Sequence, residues 1–172
     1  MASLMENLIE VLNGECSEYE GLLKLSQEKT AYIIKADLDN IQKITDEEQE
    51  WVGRLSRLEK KRIEITKDIA NVLNKDVTTL KLTNLIQMLN ARPAEQQQLS
   101  EAVKNLQKVV YEMRTVNERN RELIQHSLEL VEFDLNLLQS MKAAPQTANY
   151  NRGAYNIGNT MGVISGGFDA KQ

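Results

Sequence analysis

From about Pro93 to Met141 apolar positions recur at helical spacing without a break. No glycine interrupts the stretch, and its one proline stands at the start, where a missing N–H costs nothing. It predicts a single helix of roughly 48 residues, about 70 Å long at ~1.5 Å per residue. Leu99, Val103, Leu106, Val110 and Met113 alternate by four and three, the a/d pattern of a coiled-coil seam. The same register continues through Asn117, Asn120, Ile124, Ser127, Val131, Asp134, Leu138 and Met141, so the seam turns partly polar. Val116, Leu123, Leu130 and Leu137 flank it on one side at seven-residue spacing, and Leu128 and Leu135 flank it on the other. At ~100° per residue this apolar face covers about half the helix circumference, more than one packed neighbour needs.

Two further long helices precede it. The first is predicted from Ala2 or Ser3 to Ile34, with Leu4, Met5, Leu8, Ile9, Leu12, Cys16, Tyr19, Leu22, Leu23, Ser26, Ile33 and Ile34 as its stripe. The second is predicted over about Leu38–Leu73. Its seam runs through Ile41, Ile44, Glu48, Trp51, Leu55, Leu58, Arg62, Ile65, Ile69 and Val72. Neither glycine nor proline marks the break between the two; Asp37 is the candidate N-cap, and a single helix of this length could not bury its stripe within one chain. A short helix over about Thr79–Leu89 follows the polar turn Asn74-Lys75-Asp76 and ends before Pro93. Glu48 and Arg62 sit in the second seam too far apart to pair, so each is expected to meet a polar partner on another helix. The fold class is all-α: an elongated antiparallel helical bundle or coiled coil of three long helices and one short one.

The pattern ends after Met141. Residues 143–172 hold Pro145, five of the eight glycines and three charged residues, Arg152, Asp169 and Lys171, which is too little apolar material for a core. The chain is thus read as a helical domain over 1–142 and a Gly-rich tail over 143–172, flexible or docked. Tyr150, Tyr155, Ile157 and Phe168 are the tail's candidate docking residues.

Composition removes several classes of function. A net charge of −4 argues against general nucleic-acid binding, which depends on phosphate neutralisation. No stretch approaches a membrane span, and the N-terminus carries Glu6 and Glu10 in place of the basic region of a signal peptide. The single cysteine, Cys16, falls on an apolar face and reads as a buried structural thiol. These features point to the cytoplasm. His126 is the only histidine, which leaves no metal-ligand set, and no phosphate loop or other cofactor signature is present. No catalytic constellation emerges, so an enzyme is not expected.

The polar line of Asn117, Asn120, Ser127 and Asp134 has two readings. It either fixes the register inside the bundle or forms the floor of a groove that receives a partner's amphipathic helix. The width of the surrounding apolar face favours the groove, with Leu123, Ile124, Leu128, Val131, Leu135 and Leu138 as its walls.

The sequence Asn117-x-x-Asn120-x-x-Leu123-Ile124-x-x-Ser127-Leu128 resembles the last long helix of the FlgN-type flagellar export chaperones. The glutamate-rich second helix with Trp51, Leu55, Leu58 and Arg62 is similar too. So are the segment Leu80-Lys81-Leu82-Thr83-Asn84-Leu85-Ile86 and the tail ending Phe168-Asp169-Ala170-Lys171. The resemblance implies a non-enzymatic cytoplasmic chaperone of the hook–filament junction proteins FlgK and FlgL. Such a chaperone holds their C-terminal helical segments, prevents premature assembly and delivers them to the flagellar type III export gate and its ATPase components. A homodimeric coiled-coil scaffold, with the broad face as its dimer interface, is the alternative.

Overall fold

The computed structural model describes the backbone of residues 2–143 and the side chains of residues 4–143. Four α-helices follow one another: α1 (Ala2–Ile34), α2 (Leu38–Val72), α3 (Leu82–Met88) and α4 (Pro93–Ala143). Single 3₁₀ turns at Val77–Thr79 and Leu89–Ala91 bracket α3. No strand occurs among the described residues. The Gly-rich segment 144–172, with Tyr150, Tyr155, Ile157 and Phe168, lies outside them. The chain divides within α4 into two units, Met1–Leu130 and Val131–Gln172.

The first unit is an up–down–up bundle. Salt bridges join Glu15 to Arg62, Glu18 to Arg54 and Lys29 to Glu48, so α1 and α2 run antiparallel. Helix α4 returns alongside α1 in parallel: Leu99, Ala102 and Val103 share a core cluster with Met5, Leu8, Ile69 and Ala70, and Val109 and Met113 share one with Leu22, Leu23 and Leu55. Each fully buried leucine contributes about 1.5–3 kcal/mol. Leu80, Leu85 and Leu89, from the short helical segment, close the first cluster at the end where α1 begins. That segment is shorter than the expected Thr79–Leu89. Asp76 accepts a hydrogen bond from the Thr78 N–H and caps a separate 3₁₀ turn, and the backbone of Lys81 is extended before α3 starts.

The α1–α2 break falls where the sequence placed it, by a device without glycine. Ala36 adopts a left-handed conformation (φ 53°). The Asp37 N–H bonds to the Tyr32 carbonyl and the Ala36 N–H to the Ile33 carbonyl, which is a Schellman cap. Asp37 then caps α2 by accepting from the Asn40 N–H. The Asn40 side-chain amide and backbone N–H together hold the Asp37 carboxyl below the usual aspartate range. A left-handed alanine costs about 1–2 kcal/mol that glycine does not. Ala36→Gly is therefore expected to raise stability by about 1 kcal/mol, read as a shift of the urea midpoint at unchanged m-value.

Two glycines of α1 have opposite roles. A Cβ built on Gly21 would collide with the Cζ3–Cη2 edge of the Trp51 ring, and Arg54 stacks on the same ring at 4.2 Å while bonding Glu18. A Cβ on Gly14 would meet only the Leu58 methyls at 3.5 Å, an ordinary contact. Gly14→Ala is thus expected to stabilise by up to about 1 kcal/mol through helix propensity alone. Gly21→Ala is expected to destabilise by about 1–3 kcal/mol, because displacing the indole outweighs the propensity gain. Thermal melts of the two variants test the contrast.

Candidate functional site

Burial along α4 stops abruptly. Leu99, Ala102, Val103, Val109, Met113 and Asn120 are buried, Leu123 is half-buried, and every residue from Ile124 to Ala143 is exposed. The reason is the length of α1. Asn120 Nδ2 donates to the Ser26 carbonyl at 2.8 Å, and the Thr30 hydroxyl donates to Asn120 Oδ1 at 2.5 Å. Positions on α1 therefore meet α4 some 90–94 residues later, and α1 ends at Ile34.

The apolar pattern does not stop with the burial. In the first unit Ile124, Leu128 and Leu130 are exposed. In the second unit Val131, Phe133, Leu135, Leu137, Leu138 and Met141 are exposed, each by about half or more. Counted at ~100° per residue, Ile124, Leu128, Val131, Leu135 and Leu138 keep the phase of the stripe that packs on α1 as far as Asn120. A helix rarely leaves core-phase apolar positions exposed, and in each unit these residues are the candidates for an interaction surface.

The expected polar line separates into parts. Asn120 turns inward and belongs to the bundle's own bonding. The Ser26 hydroxyl donates to Glu48 Oε1 at 2.9 Å and Lys29 Nζ to Glu48 Oε2 at 2.8 Å, so one polar network ties α4, α1 and α2 together. These bonds fit the register-fixing reading of Asn120, which also borders the depression beside Ile124. Asn117 is exposed and shares a shallow depression with Lys29, Arg121 and Ile124. The Ser127 hydroxyl bonds back to the Leu123 carbonyl at 2.9 Å, which leaves it exposed but internally satisfied. Asp134 is exposed.

Sequence reading overlooked Phe133, which extends the exposed set beyond the Leu130–Leu137 row. Its signal was present: it is an aromatic residue one position before Asp134 on a helix otherwise poor in aromatics. Glu48 and Arg62 find their partners on α1, as expected, in Lys29 and Glu15. Cys16 is buried, and burial pushes its thiol pKa up, with the Glu20 carboxylate adding to the effect. His126 is exposed and lies 3.6 Å from Glu129. Among the described residues no group of His, Cys, Asp and Glu is placed to hold a metal ion, and no helix is long and apolar enough to cross a membrane.

The family described as FlgN protein matches residues 1–156, the whole described bundle and more. The chain belongs to the FlgN family. Membership gives it the general role of a flagellar export chaperone, with flagellar proteins as partners, in a family that is not enzymatic. The chain is also similar to YvyG of Bacillus subtilis strain 168, an uncharacterized protein, at 24% identity over 144 residues, covering 84% of this chain and 83% of that one. No solved structure matches.

Proposed function

We propose that this chain is a cytoplasmic chaperone whose α4 receives the C-terminal helical segments of FlgK and FlgL, keeps them from assembling, and hands them to the flagellar export gate and its ATPase components. The observation that supports this reading is the exposed core-phase stripe of α4, Ile124 and Leu128 in the first unit and Val131, Leu135 and Leu138 in the second. An assembly helix held in the monomeric state has its own apolar stripe to cover, and a helix laid against another helix's seam does so with ordinary side-chain packing. Leu123, Asn117, Ser127 and Asp134 border or interrupt the stripe and complete the proposed contact set. Residues 1–142 form the chaperone domain in this reading, and residues 143–172 are a tail whose Tyr150, Tyr155, Ile157 and Phe168 are suited to short apolar contacts.

The deciding measurement is light scattering and calorimetry on the purified protein, alone and with C-terminal segments of FlgK and FlgL. A defined complex with either segment supports the proposal. A tight homodimer that ignores both segments overturns it in favour of a structural scaffold.

A further inference from the structure

We propose that the segment received by α4 carries an arginine or lysine within its own apolar stripe, and that Asp134 is the residue that selects it. This deepens the reading above and rests on it. Asp134 stands inside the apolar face, not at its rim: the residues three and four positions before and after it are Leu130, Val131, Leu137 and Leu138, all exposed. Those spacings are the neighbouring positions on a helix surface.

No lysine or arginine stands within a turn of this carboxylate on the helix; the nearest are Lys142, eight positions on, and Arg121, thirteen positions back. Between Glu122 and Met141 the charged residues are Glu122, Glu129, Glu132 and Asp134, without a lysine or arginine, and His126 lies beside Glu129. In the free protein this matters little, because Asp134 is exposed to water. Any occupant that covers the leucines around Asp134 also removes that water. A desolvated carboxylate is tolerated only when a cation or a set of hydrogen-bond donors meets it. A purely apolar segment supplies neither. A second copy laid so that residues 122–141 cover the same stretch would bring further carboxylates and His126 but no lysine or arginine, a poorer match for Asp134 than a segment with a base in its stripe. The occupant that satisfies both the apolar rows and the carboxylate is an amphipathic helix with one basic residue in its stripe. Arginine fits best, since its planar fork bonds a carboxylate through two parallel N–H donors.

The test uses the full-length protein, with C-terminal segments of FlgK and FlgL as probes, each also prepared with its basic residues replaced by glutamine. Asp134→Asn is expected to weaken binding of the natural segment by about ten- to a hundredfold, the range of a hydrogen bond to a charged group. It should have little effect on the glutamine-substituted segment, which is the coupling a structural role would not produce. Natural-segment binding that Asp134→Asn or Asp134→Leu leaves unchanged or tightens overturns this inference alone and leaves the docking surface standing. Absence of binding by the wild-type protein overturns both. The chain's own Arg152, which lies between Tyr150 and Tyr155, is tested by a chain ending at Ala143. If the effect of Asp134→Asn disappears there, Asp134 was serving the chain's own tail and the inference fails.

Discussion

Replacing Leu128 and Leu135 together by aspartate is expected to abolish measurable binding of FlgK and FlgL C-terminal segments while leaving the free protein folded. Leu128 is 60% exposed and Leu135 52%, so the free protein loses little burial. The direct cost to the fold is helix propensity, about half a kcal/mol per substitution. In a complex the outcome reverses. Each aspartate would face a covered apolar surface without a partner, at a cost of several kcal/mol per desolvated charge. Two of them lower affinity by a thousandfold or more at about 1.4 kcal/mol per factor of ten. Calorimetry reads the affinity, and circular dichroism and the melting temperature serve as controls. Binding that survives in a folded double variant rejects this surface. Loss of the fold would mean that these leucines are internal to the protein, contrary to their exposure.

The second large effect is on stability and falls on the α1–α2 interface. The Glu15 side chain is only 4% exposed, and Arg62 Nε donates to its Oε1 at 2.9 Å. Arg62→Ala leaves a buried carboxylate facing apolar neighbours. Breaking a buried pair from one side typically costs about 3–5 kcal/mol. Arg62 is itself partly exposed and also lies near Glu59, so about 2 kcal/mol is the expected loss, or a melting point lower by roughly 4–8 °C for a chain of this size. The double replacement Glu15→Leu with Arg62→Leu should recover most of that loss, because it removes the stranded charge along with its partner. Client binding well below the melting point should be unaffected by either variant, since Glu15 lies about three helical turns before Ser26, the α1 residue whose carbonyl meets Asn120, and the exposed stripe begins beyond Asn120.

The extents of the three long helices were legible because each carries more than thirty residues of four–three apolar spacing, and no loop chemistry imitates that. The α1–α2 break was legible only from its far side. Asp37 announced the start of α2, but the end of α1 is made by an alanine in a left-handed conformation, and alanine is the residue least suggestive of a stop. Glu15 was misplaced by omission. Leu8, Leu12, Glu15, Tyr19, Leu22 and Ser26 alternate by four and three, so Glu15 lies in the seam of α1 opposite the Arg62 of α2's seam. Residue type, read ahead of position, hid that match. Val110, expected in the seam of α4, is only half-buried, and its neighbour Val109 is the buried member of the pair. On α4 the width of the apolar face was readable, but the boundary between its covered and bare parts was not. That boundary depends on how far α1 reaches, and one helix's pattern holds no information about another's end.

The Asn120 contact also sets a quantity. Suppose α4 slid by seven residues so that Ser127 stood where Asn120 now meets Ser26 and Thr30. Seven more residues of the stripe would gain cover from α1, and the bare surface would shrink by two turns. The leucines alone would accept that shift, since the apolar spacing repeats. Asn120 would then be carried to the level of Tyr19 and Leu23, where its amide would lose both present partners, at a cost of about 1–3 kcal/mol for a stranded buried polar group. One amide thus meters how much of the helix the protein withholds from its own interior, and so how many turns it has to lend.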